Sequence, residues 1–65
     1  MSYGEKIKML RKLHKLTQAE FADAIGAGRS TAAMWETEIR MPRDPMKKKI
    51  AKYFHVSVQA IFFDD

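Results

Sequence analysis

Residues 17–36 have the sequence TQAEFADAIGAGRSTAAMWE, whose pattern predicts two short helices joined by a tight turn. Thr17 and Glu20 have the spacing of a capping box, in which the threonine oxygen accepts the N3 amide proton and the glutamate reaches back to the cap amide. Phe21 follows at N4, where it can pack on the residue before the cap. Gly26 stands where the first helix must stop, because glycine adopts a positive φ at no steric cost.

The second helix of this stretch begins near Arg29 and carries Ala32 and Trp35 on one side. We therefore expect this apolar side to pack against the first helix. Ala22 is small enough to let the second helix cross closely above it, and Ala27 helps to fill the space between the two. The two helices thus form one folding unit.

This arrangement resembles the helix-turn-helix of the phage-repressor family, the Xre-like and Cro-like DNA-binding domains. The resemblance implies that the second helix lies in the major groove of DNA. It extends to a count of five short helices, hence to an all-α domain, and to the ending VSVQAIF at residues 56–62. The matching residues of the central stretch are Gln18, Ala22, Gly26, Ala27, Ala32, Trp35 and Glu36.

Length and charge restrict the class of protein. The chain has 65 residues, which favours a single domain over 1–65 with a thin core. Its net charge of +4 suits a polyanionic partner. It has no cysteine, no apolar run near the ~20 residues of a membrane span and no apolar stretch typical of a signal peptide. We expect a cytoplasmic, nucleoid-associated protein.

The remaining helices are predicted from caps and periodicity. Ser2 and Glu5 have capping-box spacing ahead of a first helix over Tyr3 to His14. Asp44 as cap and Pro45 as first helical residue predict the start of a fourth helix. The apolar positions of the first helix are Ile7, Leu10 and Leu13, and those of the fourth are Met46, Ile50, Ala51 and Phe54.

The fourth helix also carries three consecutive lysines, Lys47 to Lys49. At about 100° per residue these lysines fan around roughly 200° of the helix, so they cannot form one compact patch. We expect them mostly to solvate the surface. Ser57 is predicted to cap a fifth helix over Val58 to Phe63, and Asp64 with Asp65 to form a solvated tail.

The outward arc of the second central helix holds the candidate base-reading residues, which are Arg29, Ser30, Ala33 and Met34. Arg29 offers two parallel donors that match guanine O6 and N7. Ser30 can contact a base or a phosphate. Ala33 and Met34 offer only apolar contact, either to thymine methyl groups or to a partner protein.

Phosphate contacts are expected where the resemblance places them. Gln18 lies at the start of its helix, where amide protons and the helix dipole favour an anion, and Thr17 precedes it. Weaker candidates are Thr31, Thr37, Arg40 and Arg43. Residues 37–43 form the connector between the second central helix and the fourth helix. An arginine of this connector, Arg40 or Arg43, can equally enter a minor groove.

Further expectations follow from the resemblance and from what the chain lacks. Family members commonly join the residues matching Arg11 and Glu36 in an ion pair, which we interpret as structural. His14 and His55 have no third ligand at metal-site spacing, so we expect no metal, cofactor, small-molecule ligand or catalytic activity. The segment 56–63 holds more apolar residues than one short helix can bury. Val58, Ile61 and Phe62 can cap the core, or Phe63 and its neighbours remain exposed and form a homodimer on DNA.

The chain departs from the family where the second central helix ends. Thr37-Glu38 replaces the usual Asn-Gly, and without glycine a left-handed cap is costly. We therefore expect this helix to end differently or to run longer. Gly28 stands where Ser or Thr is common.

The hypothesis that unites these features is a sequence-specific transcriptional regulator of double-stranded DNA, most simply a repressor acting as a dimer on a palindromic operator. The alternative is a protein-interaction module of the same fold, such as an antitoxin or a modulator of another repressor.

Overall fold

The computed structural model describes residues 1–63, so Asp64 and Asp65, for which we expect a solvated tail, lie outside the described residues. Within 1–63 the chain forms five α-helices and no strand. The expected all-α class is confirmed. The helices are α1 (Tyr3–Leu13), α2 (Gln18–Ile25), α3 (Arg29–Glu36), α4 (Asp44–Phe54) and α5 (Val58–Phe62).

Three helices begin at the predicted caps. Ser2 accepts from the amide of Glu5 while Glu5 accepts from the amide of Ser2, so the first capping box is complete. Thr17 and Glu20 form the same reciprocal pair at 3.1 and 2.9 Å at the start of α2. Ser57 caps α5 through its hydroxyl oxygen.

The start of α4 differs from the prediction by one residue. Arg43 occupies the cap position without a side-chain hydrogen bond, Asp44 is the first helical residue and Pro45 the second. Proline fits there because the first four amides of a helix have no intrahelical acceptor. Asp44 stays in the first turn, where the helix dipole favours negative charge.

The core lies where α1, α2, α3, α4 and α5 meet, and aromatic rings fill its centre. The ring of Phe21 stacks on Phe54 with centroids 5.4 Å apart and meets Trp35 edge-on at 6.5 Å. Gly26 has φ 72°, as the tight turn between α2 and α3 requires. The buried hydrophobic residues are Ile7, Phe21, Ala22, Ile25, Ala32, Trp35, Ile50, Ala51, Phe54 and Ile61.

One expectation about side-chain placement is wrong, and one lysine of the 47–49 run departs from the other two, which are exposed. Leu13 does not join the apolar face of α1, since it is 69% exposed; the buried position one turn from Ile7 belongs to Arg11. Lys47 does not lie on a solvated face, since its side chain is only 13% exposed. Its ammonium lies 5.6 and 5.1 Å from the ring centroids of Phe62, in α5, and Phe63, just after it, so these two rings cover the lysine.

Gly4 lets α1 approach the end of α3 closely. A Cβ atom at this position would collide with the carbonyl oxygen of Glu36 and would lie 2.8 Å from Cγ of Glu38. Since the first collision partner is backbone, it cannot rotate away. Here glycine is required by packing, because its own φ is not in the left-handed region.

We expect Gly4→Ala to lower the free energy of unfolding by about 1–3 kcal/mol, the usual cost of overpacking. This loss should outweigh the gain of about 0.5–1 kcal/mol that alanine brings over glycine within a helix. Urea or thermal unfolding followed by circular dichroism measures the change.

Gly28→Ser is the matched control, because a Cβ there meets only Thr31 Oγ1 at an ordinary 3.7 Å. Gly28 caps α3 without a side-chain hydrogen bond. Serine should therefore raise the free energy of unfolding by about 0.3 kcal/mol. A Gly4→Ala variant as stable as the wild type would contradict the close approach of α1 and α3.

Candidate nucleic-acid interface

Helix α3 is anchored by one side and exposed on the other. Ala32 and Trp35 are buried at 0% and 3% exposure, which fixes the rotation of the helix about its axis. That rotation turns the predicted base-reading arc away from the core. On this arc Arg29 and Ser30 are exposed, and Ala33 and Met34 are half-buried.

A buried ion pair ties the end of α3 to α1. Arg11 donates from Nε to Glu36 Oε2 at 2.6 Å and from Nη2 to Oε1 at 3.1 Å, a bidentate arrangement. Its Nη1 donates to the carbonyl of Leu16, 2.8 Å away. The two charged side chains are 10% and 3% exposed. Within residues 1–63 no buried side-chain nitrogen or oxygen lacks a hydrogen-bond partner, so the pair is fully compensated.

Gln18 joins this network and is thereby held close to the C-terminal end of α3. Its side-chain amide donates to Glu36 Oε1 at 3.2 Å. Since an amide NH₂ has two protons, one remains for another acceptor. Thr17, the neighbouring cap, uses its hydroxyl oxygen to accept from Glu20, which leaves the hydroxyl proton to donate.

The hydroxyl of Thr37 already has acceptors inside α3. It lies 3.1 Å from the carbonyl oxygen of Ala33 and 3.4 Å from that of Met34. A phosphate contact from this hydroxyl proton would have to replace those bonds. Thr37 is therefore a weaker phosphate candidate than the sequence alone suggests.

The other three weaker candidates come together around one groove. This groove, of about 210 Å³, lies between α3 and the connector to α4, and Trp35 forms part of its wall. Thr31, Arg40 and Arg43 all line it. Thr31 thus lies beside the same groove as two arginines that follow it by nine and twelve positions in the chain.

The connector is held by contacts that the sequence does not reveal. The hydroxyl of Tyr3 donates to the carbonyl oxygen of Arg40 at 2.9 Å, and the amide of Gly4 donates to Glu38 Oε2 at 3.2 Å. Burial, followed by the negative charge of Glu38, raises the pKa of Tyr3. These partners are separated by 37 and 34 residues, and no periodicity or local motif relates them.

Helix α3 ends without a glycine. It ends at Glu36, with Thr37 as its C-cap, and the left-handed position falls on Glu38, at φ 66°. The cost of this conformation in a non-glycine residue is offset by the hydrogen bond from Gly4 to the Glu38 carboxylate.

The two histidines play structural parts. The ring of His14 packs on Phe54 with centroids 5.0 Å apart, and His55 ends α4 in a left-handed conformation at φ 59°.

None of the helices in the described part of the chain, residues 1–63, has the length and hydropathy of a membrane span.

The fold and the exposed arc of α3 define a helix-turn-helix domain of the repressor type. The model of the helix-turn-helix family matches residues 7–61, and the chain belongs to this Xre/Cro-like family of DNA-binding transcriptional regulators. The fold and family are those of regulators, not of enzymes.

Two similar proteins are HTH-type transcriptional regulators. The uncharacterized regulator YobD of Bacillus subtilis is 36% identical over 91% of this chain, and a regulator of Methanocaldococcus jannaschii is 39% identical over 88%. The antitoxin PezA of Streptococcus pneumoniae is 36% identical over 95%. The aligned part spans 53%, 86% and 39% of these three proteins, respectively.

A solved structure confirms the fold. The P22 c2 repressor, crystallised with a synthetic operator, superposes on this chain with a TM-score of 0.93. The superposition covers 100% of this chain and 98% of the repressor chain, at 23% identity.

We expect removal of either partner of the buried ion pair to lower the free energy of unfolding by on the order of 3 kcal/mol, because the other charge is left uncompensated. Arg11→Met and Glu36→Gln test the two sides. In the double variant the loss should fall short of the sum by at least about 1 kcal/mol, as measured by urea unfolding.

Asp44→Asn is the control, because it breaks an ion pair whose carboxylate is exposed. Lys47 Nζ lies 3.5 Å from Asp44 Oδ1, and the Asp44 side chain is 87% exposed. This substitution should cost no more than about 1 kcal/mol. Strictly additive losses from Arg11→Met and Glu36→Gln would mean that the two residues do not interact.

Proposed function

We propose that the protein is a sequence-specific binder of double-stranded DNA that represses transcription as a dimer on a palindromic operator. The observation that carries this proposal is the first turn of α3. Arg29 and Ser30 are exposed there, on a helix whose other side is locked into the core. In helix-turn-helix proteins it is the N-terminal residues of this helix that contact base edges.

Base reading rests mainly on Arg29. A guanidinium that meets guanine O6 and N7 with two parallel donors discriminates by about 1–3 kcal/mol. Ser30 adds a hydroxyl that serves a base or a phosphate. Ala33 and Met34, half-buried beside it, would read thymine methyl groups by apolar contact.

Phosphate contacts would flank α3 on two sides. On one side are Thr17 and Gln18, with one hydroxyl and one amide proton to donate. On the other side is the groove of Thr31, Arg40 and Arg43, which carries two cations. Such contacts orient the domain on the duplex without reading sequence, and Thr37 would add to them only by giving up its bonds within α3.

Dimerisation would use the segment 56–63. Phe63 is 65% exposed at the end of α5, and Ala60 with Ile61 lines an apolar groove of about 200 Å³ against α1. Two copies related by a two-fold axis would place two α3 helices about one DNA turn apart, which a palindromic operator requires. A dimer seated there represses by excluding polymerase.

A second candidate function is an interaction module that binds another protein. It is favoured by the similarity to the antitoxin PezA and by the apolar pair Ala33 and Met34 on the exposed arc of α3. Methionine is adaptable at protein interfaces. DNA binding separates the two candidates directly.

We expect selection from a random duplex library to enrich one palindromic site. Affinity for that site should fall about 10³-fold or more between about 50 and 200 mM salt, because six or more neutralised phosphates release counterions. Fluorescence anisotropy measures the affinity and the salt slope. A library without an enriched site, together with salt-insensitive retention, would favour the interaction module.

Arg29→Ala should reduce discrimination at one base position of each half-site by about 1–3 kcal/mol and leave preferences elsewhere intact. Lys52→Ala is the charge-matched control, since Lys52 is exposed in the last turn of α4. It should weaken binding slightly and equally for all sequences. If Arg29→Ala also weakens all sequences equally, Arg29 contacts phosphate only.

A further inference from the structure

The connector between α3 and α4 contains little regular secondary structure, yet the amide and the carbonyl oxygen of Arg40 are both hydrogen-bonded. Its amide donates to the carbonyl oxygen of Met34 at 3.2 Å. Its own carbonyl oxygen accepts from the hydroxyl of Tyr3 at 2.9 Å. Only the exposed side chain of Arg40 is left to move.

The donor of the second bond is itself fixed in place. The ring of Tyr3 is half-buried and lies against Phe62 of α5 with centroids 6.0 Å apart. Because the ring cannot swing freely, its hydroxyl stays directed at the connector. The raised pKa of Tyr3 keeps this hydroxyl protonated, and therefore a donor, throughout the neutral range.

A second bond reaches the connector from the next residue of α1. The Gly4 amide donates to Glu38, whose carboxylate thereby lies at the N-terminus of α1, where the helix dipole favours negative charge. Glu38 would otherwise present an anion close to the expected path of the DNA backbone. Its carboxylate instead accepts the hydrogen bond from the Gly4 amide.

We propose that the first turn of α1 is a clamp that positions the connector for phosphate binding, with Tyr3 and Glu38 as its positioning residues and Arg40 as the residue they position. This inference rests on the proposed DNA-binding function. Neither Tyr3 nor Glu38 needs to touch DNA. The clamp raises affinity because a guanidinium whose backbone is already ordered loses less conformational freedom on binding.

Tyr3→Phe isolates the clamp, because it removes one hydroxyl and keeps the ring that packs on Phe62. We expect about fivefold weaker binding to the selected operator, because Arg40 must then be ordered when DNA binds. In an Arg40→Ala background the same substitution should have no further effect. Tyr53→Phe is the matched control, since the Tyr53 ring contacts His14 and Phe54 instead of the connector.

Amide hydrogen exchange tests the clamp without DNA. The Arg40 amide should exchange faster in Tyr3→Phe than in the wild type, and by a larger factor than the core amides, which report only the loss of global stability. Tyr53→Phe should leave the Arg40 amide as it is. A purely global loss of stability would speed all amides together and would not single out the connector.

The outcomes separate the clamp from the proposed function. An unchanged Arg40 exchange rate in Tyr3→Phe overturns the clamp, and so does a loss of affinity that is equally large in the Arg40→Ala background. If the wild type binds DNA and Tyr3→Phe binds it equally well, the clamp alone falls. If the wild type binds no duplex, the DNA role of the clamp falls with the proposed function.

Discussion

The ion pair between Arg11 and Glu36 is the interaction on which the arrangement of the first three helices depends. It joins the last turn of α1 to the last residue of α3, while Arg11 also holds the Leu16 carbonyl and Gln18 of α2 shares the Glu36 carboxylate. A buried charge pair need not stabilise a protein more than apolar residues would. It does restrict how α1, α2 and α3 can be arranged, because the buried charged groups must stay within hydrogen-bonding distance of their partners.

That restriction has a consequence for the exposed side of α3. The pair fixes the C-terminal end of α3, and the buried side chains of Ala32 and Trp35 fix its rotation. Together they leave Arg29 exposed at the N-terminal end of the helix. A small domain with a thin core thus fixes the position of α3 by combining apolar packing on one side with a compensated charge pair at one end.

The close approach of α1 and α3 at Gly4 is a second contact that fixes the C-terminal end of α3. A residue without Cβ lets the first turn of α1 lie against the end of α3, and from there Tyr3 and the Gly4 amide reach the connector. Glu38 adopts a left-handed conformation just after α3, and its carboxylate accepts a hydrogen bond from the Gly4 amide. This bond offsets part of the cost of a positive φ in a residue that has a Cβ atom.

The sequence by itself determined the five helices, the capping boxes, the turn at Gly26 and the buried side of α3, because each of these depends on residues a few positions apart. It also placed Arg29 on the outward arc. Only the tertiary structure decided that the rings of Phe62 and Phe63 cover Lys47 and that Tyr3 holds Arg40. These contacts join residues far apart in the chain, and no local pattern of hydrophobicity or charge encodes which of them meet.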